Sequence, residues 1–190
     1  MSKTGVPIYQ IKITLKHSKP PIWRRLLISS ETTLTQLHNI IQVAMGWYDS
    51  HLHAFNINGE NYSAPLPYDP DHLREMGMKS TRGKKLKSFI SGEGDKFTYE
   101  YDFGDFWEHV ILVEKILPPD PEQPLPTCIK GKRACPPEDV GGVWGYDTFL
   151  EAIKDPNHPE HEMYTEWLGN DFDPEAFDLD ETNRALRSLK

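Results

Sequence analysis

Histidines and carboxylates that could hold a metal ion fall in two short stretches of the sequence. His51 and His53 lie two residues apart on a predicted strand, so both side chains should leave the same face of the sheet. Asp102, Asp105 and His109 lie in and just after the turn of a predicted hairpin. Imidazole and carboxylate ligands suit zinc, manganese or iron, and such an ion can activate water for hydrolysis. These residues are therefore a candidate site for a divalent transition metal.

The same residues also have a purely structural interpretation. Strand histidines are often partly buried, and aspartates organise turns by accepting backbone hydrogen bonds. The sequence contains no complete catalytic signature. Residues 102–104 match a kinase tripeptide in letters, but no Gly-rich loop or strand lysine precedes them in the required order. From the sequence alone we prefer the structural interpretation, with the metal site as its alternative.

A second candidate site is a loop in which stiff prolines precede permissive glycines. Such a loop can turn sharply and present two carboxylates at its apex. It lacks the Gly-x₄-Gly-Lys-Ser/Thr order of a phosphate-binding loop. The candidate binding residues in this loop are Cys135, Glu138, Asp139, Gly141 and Gly142. A structural turn is the preferred interpretation here too, and a ligand-binding loop is the alternative.

Two hairpins are predicted in the first third of the chain. Apolar and polar residues alternate over residues 9–15, and residues 22–28 continue with β-favouring types after a five-residue connection. Residues 52–57 form a third predicted strand, and Asn58-Gly59 suits the tight turn that follows it. The strand that carries the two histidines should therefore belong to a sheet.

One helix is predicted between these hairpins. Thr33 and Gln36 have the spacing of a capping box, and apolar residues then recur at three- and four-residue steps until Gly46. The apolar stripe over residues 34–45 should pack on the sheet.

The rest of the chain alternates between irregular and regular segments. Residues 63–95 lack periodicity and predict a long excursion with short elements. Residues 97–103 and 106–116 predict a central hairpin, and the prolines of residues 118–126 predict a stiff linker. Helical patterns then follow over residues 146–154, 159–168 and 180–189.

These elements predict an α+β fold. We expect a mixed, mainly antiparallel sheet with a helix packed on one face, similar to a β-grasp arrangement, and a C-terminal helical cap. The chain of 190 residues should form one domain. A subdivision into an α+β core (residues 6–118) and a proline-rich linker with the helical cap (residues 119–190) is the alternative.

The composition of the chain indicates which partners and which cellular location to expect. The net charge of −8 opposes a phosphate backbone, which makes nucleic acid a less favoured partner, although residues 79–87 are locally basic. No apolar run approaches the roughly 18 residues that span a bilayer, and the N-terminus lacks a secretory pattern. Two cysteines suit a reducing compartment. We expect a cytoplasmic protein without a membrane partner.

Three segments together resemble a known family. They are residues 101–109 (YDFGDFWEH), residues 131–142 (GKRACPPEDVGG) and residues 167–169 with 172–175 (WLG and FDPE). The chain resembles the plasmid pRiA4b ORF-3-like family from its first strand to Phe177-Asp178. The resemblance implies an origin on plasmids, mobile elements or microbial chromosomes. It implies no established activity and no catalytic residues.

Three functions follow as hypotheses. The first is a non-enzymatic binding or adaptor module with a protein or peptide partner, since the many aromatic residues could form a groove and no catalytic signature is complete. The second is a metal-dependent hydrolase or nuclease that uses the candidate metal ligands. The third is a DNA-binding accessory protein of a mobile element, based on the basic segment and the resemblance.

Overall fold

The computed structural model describes residues 5–169 and 171–189. Within these residues, one sheet of eight strands runs in the order β5-β4-β3-β6-β7-β1-β2-β8. The strands are β1 (Ile8–Leu15), β2 (Trp23–Ser29), β3 (His53–Ile57), β4 (Glu60–Ser63), β5 (Lys79–Ser80), β6 (Lys96–Tyr101), β7 (Trp107–Leu117) and β8 (Thr127–Lys132). The helices are α1 (Leu34–Met45), α2 (His72–Glu75), α3 (Gly142–Ala152), α4 (His161–Leu168) and α5 (Leu179–Ser188), with a 3₁₀ turn at Leu86–Ser88.

The sheet confirms the predicted fold class. All its neighbouring strands are antiparallel except β4 and β5, which are parallel, so the sheet is mixed and mainly antiparallel. The two-residue alternation of β1 buries Ile11 and Ile13 completely and leaves Gln10 and Lys12 half-buried on the opposite face. The core therefore lies on one face of the sheet, where α1 contributes Leu34, Leu37 and Ile41 among its buried residues.

Helix α1 begins and ends as its sequence predicts. The Thr33 hydroxyl accepts the N–H of Gln36, and the Gln36 side chain accepts the N–H of Thr33. Gly46 ends the helix in the left-handed region at φ 103°, and its N–H donates to the carbonyl of Gln42. Because the glycine reverses the chain there, the next residues leave the helix towards one end of the sheet.

Strand β8 was not predicted. Only Cys128 among its six residues is buried, and Gly131 and two lysines interrupt any apolar alternation. The strand nevertheless pairs with β2 and forms one edge of the sheet. The proline-rich segment is thus followed by a strand, and the predicted run of helices begins only after it.

The remaining elements match their predictions with shifted boundaries. The excursion after β4 contains only the short α2, β5 and the 3₁₀ turn among its described residues. Helix α3 begins at Gly142, four residues before its predicted start. Among the residues that the structure describes, no helix combines the length and the apolar character needed to cross a membrane.

Candidate functional site

Three loops meet at one end of the sheet. Loop A (residues 46–52) follows α1, loop B (residues 102–106) turns the chain from β6 to β7, and loop C (residues 134–141) precedes α3. Both candidate sites of the sequence contribute to this meeting point. The predicted metal site supplies loops A and B, and the predicted binding loop is loop C.

Hydrogen bonds hold the loops together. The N–H of Asp102 in loop B donates to the carbonyl of Leu52 in loop A over 2.9 Å. The N–H of Gly141 in loop C donates to Oδ2 of Asp105 in loop B over 3.1 Å. Residues that are far apart in the sequence are thereby fixed beside one another.

His51 in loop A directs its Nε2 atom at carboxylates of the other two loops. Nε2 lies 3.1 Å from Asp139 Oδ1 and 3.6 Å from Glu138 Oε2, both in loop C. It lies 3.7 Å from Asp102 Oδ2 in loop B. Within the described part of the chain this buried nitrogen has no hydrogen-bond partner. The carboxylates surround it without the alignment that a hydrogen bond requires.

Two of the carboxylates have one oxygen fixed by the protein and the other turned to the imidazole. Oε1 of Glu138 accepts hydrogen bonds from the N–H of Tyr48 and from the hydroxyl of Tyr101. Oδ1 of Asp102 accepts the N–H of Gly104 over 2.8 Å. The second oxygen of each carboxylate is the one that faces Nε2. Oxygens held in this way are typical of metal ligands that outer hydrogen bonds orient.

The backbone of these loops adopts conformations that side chains disfavour. Asp49, Asp102, Phe106 and Asp139 have φ values between 54° and 61°, in the left-handed region. A Cβ atom on Gly142 would lie 2.4 Å from the carbonyl oxygen of Asp105, so only glycine allows loops B and C to come this close. Disfavoured conformations of this kind concentrate at functional sites.

The cluster is buried on one side and open on the other. The side chains of Asp102 and Glu138 are 11% and 9% exposed, whereas that of Asp139 is 68% exposed. His51, at 28% exposure, lies between these extremes. A ligand could therefore reach the cluster from the side of Asp139.

The geometry fits a divalent metal ion. His51, Asp102 and Asp139 each offer one ligand atom, and these atoms lie within 4.8 Å of one another. Ligand atoms placed about 2.1 Å from a shared ion lie roughly 3–4 Å apart. The distances from His51 Nε2 to Asp139 and Asp102, 3.1 and 3.7 Å, already meet this requirement, and the two aspartates would approach each other when an ion binds. One imidazole with two or three carboxylates and no thiolate suits manganese, iron or zinc. Glu138 supplies the additional carboxylate.

His53 lies apart from this cluster. Its ring stacks on that of His38 in α1, with centroids 3.5 Å apart and an angle of 9° between the planes. Burial, and to a lesser extent the nearby His38, lowers the pKa of His53 to about 3. Strand β3 begins only at His53, so the alternation that predicted a shared face with His51 does not extend back to residue 51.

His109 is also a core residue. It is fully buried, and its Nδ1 lies 3.3 Å from the carbonyl oxygen of Tyr99. Burial lowers its pKa to about 4. Among the described residues, neither His53 nor His109 belongs to a group of three converging ligand atoms.

Two further predicted residues, Asp105 and Cys135, contact the loops without facing His51. Asp105 fixes the backbone of Gly141. Cys135 packs behind loop A, where a Cβ on Gly46 would lie 3.7 Å from the Cys135 Cβ. Burial raises the pKa of the Cys135 thiol well above its ordinary value, so the thiol stays protonated at neutral pH. Both cysteines are free thiols.

Tyr101 has a role that sequence reasoning missed. Its alternation on β6 predicts a core residue, and it is fully buried. Its hydroxyl also accepts the N–H of Ser50 and donates to Glu138, which links loops A and C. The signal in the sequence was the hydroxyl itself, since a buried tyrosine hydroxyl requires a partner.

Comparisons with other proteins agree with the resemblance. The uncharacterized protein y4hQ of Sinorhizobium fredii is 37% identical over 184 residues, which cover 96% of this chain and 92% of that protein. The crystal structure of the protein of unknown function MM3350 from Methanosarcina mazei Go1 has a TM-score of 0.82 and 39% identity, and the match covers 94% of this chain and 98% of that one. The family model described as plasmid pRiA4b ORF-3-like protein matches residues 7–181. The chain therefore belongs to the plasmid pRiA4b ORF-3-like family.

Proposed function

We propose that the protein binds a divalent transition-metal ion between His51, Asp102 and Asp139 and uses it to hydrolyse a substrate. One observation carries the proposal. The buried Nε2 of His51 faces carboxylate oxygens from two other loops and has no hydrogen bond within the described residues. An ion at this point would satisfy the nitrogen and neutralise part of the carboxylate charge.

The side chains around the ion would have different tasks. A bound ion lowers the pKa of water and so supplies a nucleophile at neutral pH. Glu138 is placed to accept a proton, because its Oε2 lies 3.6 Å from His51 Nε2 while its Oε1 stays fixed by Tyr48 and Tyr101. The exposed Asp139 marks the side on which a substrate would enter.

Of the three hypothetical functions, the metal-dependent hydrolase is now preferred to the binding module and to the DNA-binding protein. Convergence of the loops favours the hydrolase over a module without a metal, because three of the loop carboxylates have an oxygen within 3.7 Å of one imidazole nitrogen. Loops A, B and C contain no lysine or arginine, which disfavours DNA as the partner. The two free thiols suit the cytoplasm.

Metal binding is tested first. Untagged protein is purified, its metal content is measured by elemental analysis, and Mn²⁺ and Zn²⁺ are titrated into the metal-free protein by calorimetry. We expect near-stoichiometric binding that weakens by at least roughly 10-fold in His51→Ala and Asp102→Asn. His158→Ala and Asp147→Asn are matched controls outside the ligand set and should bind like the parent. Absence of binding, or equal binding in all variants, would refute the metal site.

Hydrolysis is tested separately. Metal-loaded protein is assayed against model esters, phosphate esters and peptides, with Glu138→Gln as the critical variant. Because Glu138 also offers a carboxylate to the ion, Glu138→Gln is assayed at a saturating concentration of the ion. We expect it to lose about 100-fold or more of the turnover there, as for a group that moves a proton. If the ion binds stoichiometrically and no substrate class is turned over, the metal site stands and the enzymatic proposal fails.

A further inference from the structure

Three aromatic side chains are exposed around the same three loops. Tyr48 and Trp144 are each 81% exposed, and Phe106 is 61% exposed. Aromatic rings this large usually lie in the core, and several of them together on a surface mark a binding site more often than chance. Each of these rings belongs to a different loop or to the helix that follows loop C.

The backbone of two of these aromatic residues is hydrogen-bonded to the carboxylate cluster, and the third lies close to it in sequence. The N–H of Tyr48 donates to Glu138, and that of Phe106 donates to the carbonyl of Asp102 over 2.7 Å. Trp144 lies in the first turn of α3, two residues after Gly142, at which an added Cβ would collide with the carbonyl oxygen of Asp105 in loop B. The three exposed rings therefore belong to backbone segments that form or adjoin the cluster. We refer to Tyr48, Phe106 and Trp144 as the aromatic rim.

The charge at the rim has one sign. Loops A, B and C with residues 142–147 of α3 carry six carboxylates and no lysine or arginine. Two basic side chains at this end of the sheet are already engaged. Lys16 pairs with Glu108 over 2.8 Å, and the buried Arg133 pairs with Glu175 over 2.7 Å. Lys19 and Lys132 are also exposed at this end, but they belong to the β1–β2 turn and to the edge strand β8. The three loops with residues 142–147 would remain negative even with a divalent ion in the cluster.

From this combination we infer that the aromatic rim docks a lysine- or arginine-bearing peptide segment. Aromatic faces attract ammonium and guanidinium groups, and carboxylates beside the rings attract the same charge. A nucleic acid would bring aromatic bases to the rim, but its phosphates would meet carboxylates without a basic partner. Charge complementarity thus selects a basic peptide as the occupant. Docking depends on the exposed rings and the carboxylates, and it does not require the ion.

The test is a binding titration followed by fluorescence anisotropy. A fluorescein-labelled lysine-rich peptide is titrated with the full-length protein, both metal-loaded and after treatment with EDTA. A glutamate-rich peptide and a single-stranded oligonucleotide with the same label serve as comparisons. We expect the lysine-rich peptide to bind in both states, and the two comparison ligands to bind at least roughly 10-fold more weakly.

Variants separate docking from general attraction to an acidic protein. Trp144→Ala and Phe106→Ala should each weaken peptide binding about 10-fold, and Trp144→Phe should restore part of it. Trp167→Ala removes a partly exposed tryptophan from α4 and is the matched control; it should bind like the parent. Circular dichroism verifies that each variant is folded. Equal binding by all variants, or preferred binding of the oligonucleotide, would overturn the inference. If His51→Ala loses metal binding and still binds the peptide, the result supports docking that does not depend on the ion.

Discussion

At the scale of single residues, Glu138 shows how the protein would prepare a ligand before the ion arrives. Its side chain is 9% exposed, and two donors hold its Oε1 atom. A carboxylate that is already oriented loses little conformational freedom on binding, so more of the interaction energy contributes to affinity. Tyr101 is the donor that can be removed with the least change of shape.

Tyr101→Phe should weaken metal binding about 10-fold, because Glu138 loses its hydroxyl donor and the N–H of Ser50 loses its acceptor. Burial raises the pKa of Tyr101, so its hydroxyl is protonated and able to donate at neutral pH. The measurement is a calorimetric titration with Mn²⁺. Tyr62→Phe, at a buried tyrosine of β4 that packs on Phe89, is the matched control. An unchanged dissociation constant in Tyr101→Phe would show that the hydroxyl does not orient Glu138.

His109 makes the stability of the fold depend on pH. Burial lowers its folded-state pKa to about 4, whereas an exposed histidine in the unfolded chain titrates near 6.5. Between these values the unfolded chain binds more protons than the folded protein, so stability decreases as pH falls from about 6.5 to about 4. Above about pH 6.5 the histidine is neutral in both the folded and the unfolded state, so it contributes nothing to the pH dependence of stability.

His109→Phe should remove this part of the pH dependence. Relative to the variant, the parent should lose up to about 3 kcal/mol of unfolding free energy over that interval, which corresponds to the shift in pKa. Urea denaturation followed by tryptophan fluorescence at several pH values measures the difference. Parallel pH profiles for the two proteins would show that His109 does not titrate as its burial requires.

The sequence identified most residues of the cluster but not their grouping. It singled out His51 and Asp102 as one candidate site and Glu138 with Asp139 as another, because residue type and local spacing reveal chemistry. The two candidate sites come together because β8 and loop C return to the same end of the sheet. No local sequence pattern encodes that return. The prediction wrongly grouped His53 with His51, because it placed both residues on one strand. In the structure residue 51 lies in a bend before the strand begins.

At the scale of elements, a sequence pattern predicts a helix or strand well when the interactions that stabilise it join residues close in the sequence. Helix α1 was located to the residue because a capping box, an apolar stripe and a final glycine all act within a few residues. Strand β8 was missed because its stability comes from partners that are distant in sequence. It gains hydrogen bonds from β2 on one side and from Asn183 of α5 on the other.

Asn183 occupies the exposed edge of β8. Its Oδ1 accepts the N–H of Cys128, and its Nδ2 donates to the carbonyl of Cys128, both over 2.8 Å. Both backbone groups would otherwise be available to another strand. Asn183→Ala should therefore cost about 1–3 kcal/mol of unfolding free energy.

Urea denaturation measures this cost. Asn56→Ala is the control, because Asn56 is exposed on β3 and its side chain donates to that of Asn61 rather than to a backbone group. Size-exclusion chromatography of Asn183→Ala checks whether the uncovered edge promotes association. A variant as stable as the control would show that water replaces the amide without cost.

At the scale of the whole molecule, the regions before and after the proline-rich segment share one sheet and one core. The buried Arg24 of β2 donates to the carbonyls of Ala44 and Lys132, and its guanidinium lies 4.1 Å from the centre of the Phe177 ring. Leu186 of α5 is fully buried in the same core. We therefore propose that residues 6–118 and 119–190 unfold as one domain.

Differential scanning calorimetry should accordingly show a single transition, with a calorimetric enthalpy equal to the van't Hoff enthalpy. Truncation after residue 118 should leave a chain that does not fold, because β2 would lose β8 as its neighbour and Arg24 would lose the Lys132 carbonyl and the Phe177 ring. A buried guanidinium without those contacts costs several kcal/mol, a large part of the stability of a domain of this size. Two resolved transitions, or a truncated chain with a cooperative transition of its own, would establish the subdivision near residue 118 instead. The cluster at His51 would then lie between two units, because Glu138 and Asp139 follow the boundary while His51 and Asp102 precede it.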